Sequence, residues 1–116
     1  MSSAAIHERT LSELAKGLAD GEFSSRELTE ALIARIESRH AALNAFITVT
    51  AELALAQADR ADAARAAGTP GALNGLPIVH KDLFCTEGVL TTCGSRILDN
   101  FVSPYDAAVV ERLSDA

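Results

Sequence analysis

Lys81 is the residue of this chain with the most chemistry to offer. It follows the apolar run Leu76-Pro77-Ile78-Val79 after one histidine, inside the compact segment Leu76–Phe84. An ammonium at the end of a buried strand is expensive unless its charge is paired or its pKa falls. A lysine with a lowered pKa is a general base near neutral pH. The competing reading is an ordinary lysine, exposed or ion-paired with Asp82 or Glu87, and the strand context alone favours that reading. His80 points to the opposite face of an extended chain and reads as a packing histidine. Cys85 lies four residues beyond Lys81, yet no histidine is placed to activate it, so it reads as a small buried thiol. Thr91, Thr92 and Ser95 are loop hydroxyls suited to turns and caps. The sequence holds no Gly-rich phosphate loop, metal-ligand cluster or basic–aromatic patch.

The elements that must position Lys81 are legible in part. Thr10-Leu11-Ser12-Glu13 and Ser24-Ser25-Arg26-Glu27 are two capping boxes, each opening a helix. Leu11, Leu14, Ala15 and Leu18 share one face of the first helix, which Gly21 stops. Leu28, Ala31, Leu32 and Ile36 share one face of the second, which runs to about His40. These two amphipathic helices are expected to form a hairpin. Ala45-Phe46-Ile47-Thr48-Val49 predicts a short strand. The Ala-rich stretch from Ala51 to about Ala67 predicts a third helix, ended by Gly68-Thr69-Pro70-Gly71, whose Asp and Arg residues read as a solvated face. Leu76–Val79 reads as a strand buried on both faces. A short helix is expected at Ser95–Leu98, and Asp106 is expected to cap a last helix through Val109, Val110 and Leu113.

Composition bounds the function. The 116 residues carry 10 Lys and Arg against 16 Asp and Glu, a net charge of -6, which argues against a chain that binds nucleic acid by itself. Hydrophobic residues at 48% and charged residues at 22% are globular values, so wholesale disorder is excluded. No apolar run reaches the roughly 20 residues that span a bilayer, and the N-terminus lacks the pattern of a secretory signal. Two cysteines, Cys85 and Cys93, make neither a disulfide framework nor a zinc site, and a cytoplasmic setting is the simplest expectation. A doubly buried strand with few partners, and a last helix without a stop signal, read as the front end of a longer protein.

Around Lys81 the residues resemble a known family. Leu73-Asn74-Gly75-Leu76-Pro77, Lys81-Asp82-Leu83-Phe84 and Thr86-x-Gly88-x-x-Thr91-Thr92-x-Gly94-Ser95 closely resemble the amidase signature family. Ile97-Leu98-Asp99-Asn100-Phe101, Pro104-Tyr105-Asp106 and Val109-Val110-Glu111-Arg112-Leu113 narrow the likeness to the glutamine-hydrolysing subunits of tRNA-dependent amidotransferases. The match is dense from Leu73 to Leu113 and looser through the two N-terminal helices.

The resemblance implies an α/β fold: N-terminal helices plus the first strand or strands of a mixed central sheet. In that scheme residues 1–116 are the N-terminal part of a single amidase domain, with a helical lead over 8–67 and the start of the catalytic α/β core over 73–116. It implies a Ser–cis-Ser–Lys triad in which Lys81 is the general base, with both serines in a Gly/Ser-rich region that nothing in these residues resembles. Lys81 is thus the one catalytic residue carried over, and the chain alone is expected to be inactive. The implied reaction hydrolyses glutamine and passes ammonia to a partner that converts Glu-tRNA(Gln) to Gln-tRNA(Gln). No cofactor is expected in this chain; ATP and Mg2+ belong to the partner subunit of a heterotrimer, which also makes the main tRNA contacts. Two other readings stay open: another amidase-signature amide hydrolase, and a non-catalytic remnant that binds a partner through its helices.

Overall fold

The computed structural model describes residues 5–116. After a 3₁₀ turn at Ile6–Glu8 come α1 (Leu11–Asp20), α2 (Ser25–Leu43) and α3 (Ala51–Ala66), then a second 3₁₀ turn at Arg96–Leu98 and α4 (Ala108–Asp115). The chain divides into two compact units. One holds the residues up to Phe46 together with Ala51–Pro77, and the other joins Ile47–Thr50 to Ile78–Ala116.

Local chemistry explains the helix starts. The Thr10 hydroxyl accepts from the Glu13 N–H at 3.3 Å, while the Glu13 carboxylate accepts from the Thr10 N–H at 2.7 Å. Ser24 and Glu27 repeat the exchange at 3.0 and 2.8 Å. Each box satisfies two N–H groups that helix geometry leaves without partners. α1 stops at Gly21 in the left-handed conformation. α2 runs three residues past the expected end because Ala41, Ala42 and Leu43 favour helix and Asn44, at φ 45°, supplies the turn.

Packing departs from the expected α1–α2 hairpin. α2 packs chiefly on α3, the N-terminal end of α2 lying against the C-terminal half of α3. Leu28 is fully buried on α2 and Ala58 nearly so on α3. α1 buries Leu18 and Gly17; a Cβ at Gly17 would stand 2.6 Å from the Phe23 ring, so the ring packs close against the helix at Gly17. The Arg9 guanidinium sits 5.5 Å from the Phe23 centroid and pairs with Glu22 at 2.8 Å.

The charged face of α3 is not merely solvated, which corrects the sequence reading. Asp62 reaches across to α2 and accepts from the Ser25 N–H at 2.7 Å and the Arg26 N–H at 3.1 Å. Arg26 returns to Asp59 at 2.7 Å. Arg65 donates to the Asn74 carbonyl at 2.8 Å, and the Asn74 side chain donates to the Ala61 carbonyl at 2.9 Å. The Ser25 hydroxyl donates to the Gly75 carbonyl at 2.8 Å. The Asn74-Gly75 turn is thereby tied to both helices. Gly75 has φ +82°, and a Cβ there would lie 3.0 Å from Ser25 Cβ, so both conformation and space demand glycine.

The second unit is loop-rich. Among the described residues no strand forms, which corrects the α/β expectation for the part seen here; a single antiparallel bridge joins Leu90 to Val102. Residues 45–49 and 76–79 are irregular, with Ile78 49% and Val79 69% exposed rather than buried on both faces. A strand exists only through a neighbour that takes its N–H and C=O groups. β-Branched composition favours extended backbone but cannot supply that neighbour. Asp106 does not cap α4 either. Its carboxylate accepts from the Glu87 N–H at 2.6 Å, and Ala107 stands at the cap position without a side-chain bond. Ser95 does cap the short turn, accepting from the Ile97 N–H at 3.2 Å.

Asp62→Ala removes a charged acceptor from two N–H groups and is expected to lower stability by about 1 to 3 kcal/mol in chemical denaturation. Gly75→Ala is expected to cost about 1 to 2 kcal/mol or more, because alanine cannot adopt that φ without strain. Wild-type midpoints in both variants would mean that the α2–α3–turn network does not hold this unit together.

Candidate functional site

Lys81 stands in an irregular segment, and its backbone is held while its side chain is not. Its carbonyl accepts from the Phe84 N–H at 3.0 Å, closing a turn over residues 81–84. The side chain is exposed and, among the described residues, makes no hydrogen bond and no ion pair, so neither Asp82 nor Glu87 captures it. His80 is half-buried beside it.

Asp82 is committed elsewhere. Its Oδ1 accepts from the Thr92 N–H at 2.9 Å and its Oδ2 from the Thr92 hydroxyl. Its main-chain carbonyl accepts from the Cys93 N–H at 2.8 Å. The Thr92 oxygen in turn accepts from the Gly94 N–H at 3.1 Å. Thr92 is buried, and the turn after it carries two left-handed residues, Cys93 (φ 52°) and Gly94 (φ 68°). The Thr92 hydroxyl and amide together hold the Asp82 carboxyl below its ordinary pKa, since they bond the charged form best.

The rest of this unit supports that loop. Gly88 N–H donates to the Ser103 carbonyl at 2.8 Å, Ser103 N–H to the Val89 carbonyl at 3.2 Å, and Thr91 N–H to the Phe101 carbonyl at 2.9 Å. Buried Ser103 donates its hydroxyl to the Tyr105 carbonyl at 2.7 Å. Cys85 is half-buried, its sulfur 3.6 Å from the Tyr105 hydroxyl, and that contact raises the Tyr105 pKa. Of the residues singled out in the sequence, the structure brings the Lys81–Asp82 pair and the Thr92–Gly94 turn together. Spacing hides the bond between them. The hydroxyl of Thr92, which reads in the sequence as a turn residue, is the one signal that points to it.

Other candidate surfaces lie elsewhere. An open hollow of about 350 Å³ at the C-terminal end of α2 is lined by Arg35, Ile36, Arg39, Ala42, Leu43 and Phe46 and contains none of these residues. Among the described residues no three His, Cys, Asp or Glu side chains come together as a metal ion would need. No described helix is long and apolar enough to cross a membrane.

Comparison with known proteins fixes the family. The family model described as Amidase matches residues 27–116. The chain belongs to the amidase family. It is 63% identical over 111 residues to the glutamyl-tRNA(Gln) amidotransferase A-subunit of Pseudomonas putida (strain W619), and 64% identical to that of Azotobacter vinelandii (strain DJ / ATCC BAA-1303). Both matches cover 96% of this chain and 23% of the relative, so the chain spans about a quarter of the length of these curated relatives. A solved amidase-fold chain superposes with a TM-score of 0.87 at 38% identity, covering 92% of this chain and 24% of its own length. It is described as "An unexpected vestigial protein complex reveals the evolutionary origins of an s-triazine catabolic enzyme". An inhibitor-bound form of it superposes equally well.

The lowered Asp82 pKa sets a pH dependence. The carboxylate bonds contribute stability above the ordinary aspartate range, and that contribution is lost as pH falls through the lowered pKa of the folded chain. The Thr92 N–H is expected to lose hydrogen-exchange protection across that acidic window before the Thr91 N–H, whose carbonyl acceptor does not titrate. Simultaneous loss at both amides would show that Asp82 does not control the loop.

Proposed function

We propose that this chain forms the N-terminal part of the glutamine-hydrolysing subunit of a Glu-tRNA(Gln) amidotransferase, with Lys81 as its general base. The observation that carries the reading is the identity of more than 60% to two such subunits over nearly the whole chain, including the Lys81-Asp82 segment. The lysine geometry supports it: a fixed main chain presents an amine that no neighbouring carboxylate engages.

In this mechanism the neutral amine of Lys81 accepts a proton through the cis-serine of a Ser–cis-Ser–Lys triad, activating the second serine as nucleophile. That serine attacks the side-chain amide carbon of glutamine, the C–N bond breaks and ammonia leaves. Water then hydrolyses the acyl-enzyme to glutamate, so the balance is glutamine plus water to glutamate plus ammonia. Main-chain N–H groups hold the oxyanion. Both serines belong to a segment with no counterpart in these 116 residues.

The ATP- and Mg2+-dependent activation of Glu-tRNA(Gln) belongs to a partner subunit of a heterotrimer in this reading. No step through those groups is assigned to this chain. A net charge of -6 agrees with leaving most of the tRNA contact to the partner. The setting is cytoplasmic, where protein synthesis takes place. The likeness to the s-triazine-associated structure, at 38% identity, favours a second reading, an amidase acting on another small amide.

The test is ammonia release from glutamine by the natively expressed protein, purified with the subunits that accompany it. Lys81→Ala and Lys81→Arg are expected to lower kcat about 100-fold or more, the usual range for loss of a general base. Residues 1–116 alone are expected to release none. Undiminished activity in Lys81→Ala would remove Lys81 from the mechanism, and hydrolysis of other small amides in preference to glutamine would favour the second reading.

A further inference from the structure

Lys81 must satisfy two opposing demands if it is to act as a base. Its amine must be free of any carboxylate, because an ion pair raises the pKa and holds the proton. Its backbone must also be fixed, because a misplacement of about 1 Å can cost about 100-fold in rate. A lysine followed immediately by an aspartate makes the first demand hard to meet, since the carboxylate next in sequence is an obvious partner for the ammonium.

We propose that Asp82 is the positioning residue for Lys81, acting through Thr92. This rests on the reading of Lys81 as the base. Residue 82 is held at three acceptor atoms, Oδ1 by the Thr92 N–H, Oδ2 by the Thr92 hydroxyl and the carbonyl oxygen by the Cys93 N–H. With the turn bond from Phe84 N–H to the Lys81 carbonyl, four hydrogen bonds fix two consecutive residues that belong to no helix or strand. The same bonds occupy both carboxylate oxygens, and Lys81 stays outside every ion pair among the described residues. One device thus meets both demands.

The polarity of the clamp is also fixed. The Thr92 oxygen accepts from the Gly94 N–H at 3.1 Å, which directs the hydroxyl proton to Asp82 Oδ2. Asp82→Asn cannot reproduce this. If its Oδ1 keeps the Thr92 N–H, its Nδ2 presents a donor to an oxygen already engaged by Gly94, and the hydroxyl proton is left without an acceptor. Thr92→Val keeps the shape of the side chain and removes the hydroxyl, leaving the charge of Asp82 untouched. Thr92→Ser keeps the hydroxyl and loses a methyl group. These three changes separate position, charge and packing.

The experiment measures glutamine hydrolysis against pH in the natively expressed protein for wild type, Lys81→Ala, Asp82→Asn, Thr92→Val and Thr92→Ser. A second readout is the backbone order parameter of Lys81, expected near the value of about 0.85 typical of rigid backbone in the wild type. Asp82→Asn and Thr92→Val are expected to lower kcat about tenfold to 100-fold with KM within about twofold, and to lower the Lys81 order parameter. Thr92→Ser should restore both. In Thr92→Val the carboxylate stays charged near neutral pH, so the neutral branch of the pH profile should keep its position, while the Asp82 pKa rises with loss of the hydroxyl bond. Wild-type kcat in Thr92→Val overturns the proposal, as does a Thr92→Ser variant as impaired as Thr92→Val. A defect confined to Asp82→Asn, with a shifted acidic limb, assigns Asp82 an electrostatic role instead. If Lys81→Ala keeps its activity, the reading of Lys81 as base fails and the proposal falls with it. An inactive Lys81→Ala beside fully active Asp82→Asn and Thr92→Val sinks only the positioning role.

Discussion

Irregular backbone can be fixed only by giving its N–H and C=O groups specific partners, and in this chain aspartate side chains supply many of them. The core available for the task is small. Leu18, Leu28, Ala58 and Val110 are the buried hydrophobic side chains among the described residues. Apolar burial is non-directional and holds a loop near a surface without dictating its path. A carboxylate accepting two N–H groups dictates the path. Asp62 does so for the first turn of α2, and Asp82 accepts the Thr92 amide and hydroxyl to fix the turn at 92–94.

The same constraint explains where glycine and buried hydroxyls sit. Ser25 and Thr92 are buried polar residues, each bonded to main chain or carboxylate in another segment. A buried hydroxyl left unpaired is costly, so each marks a place where two segments must meet in one register. Gly75 meets Ser25 closely, with a Cβ there standing 3.0 Å from the Ser25 side chain. The turn before the Leu76–Lys81 segment is therefore set by α2 and α3 of the first unit. The turn after it is set by Asp82 and Phe84 within the second.

How much of this was legible in the sequence follows from the range of each interaction. The two capping boxes join residues three apart, so their spacing revealed them. The ends at Gly21 and Asn44 and the Ala-rich α3 are equally local. Asp62 and Ser25 are 37 residues apart, and Asp82 and Thr92 ten apart on separate turns, so no periodicity links them. The residue types were visible but their partners were not. Hence the α3 charges read as a solvated face and Asp106 read as a helix cap. The strands at 45–49 and 76–79 failed for the converse reason: composition showed the preference, and a ladder needs a neighbour that composition cannot supply. Lys81 stands out in the sequence by type and place, whereas the Asp82–Thr92 bonds beside it do not.

The freedom of the Lys81 side chain bears directly on the chemistry. In the proposed reading a base at Lys81 works in a dry site, and among the described residues its side chain is exposed. The apolar material for such a site stands close in sequence, since Ile78, Val79, Leu83 and Phe84 flank the lysine and are all exposed. Covering those side chains would remove water from around the amine. The Asp82–Thr92 clamp keeps the carboxylate next in sequence engaged with its own hydrogen bonds, so it does not turn towards the lysine. In the proposed reading, position set by the clamp and dryness set by a cover over these apolar side chains are separate requirements of one base, and the hydrogen bonds described here bear on the first.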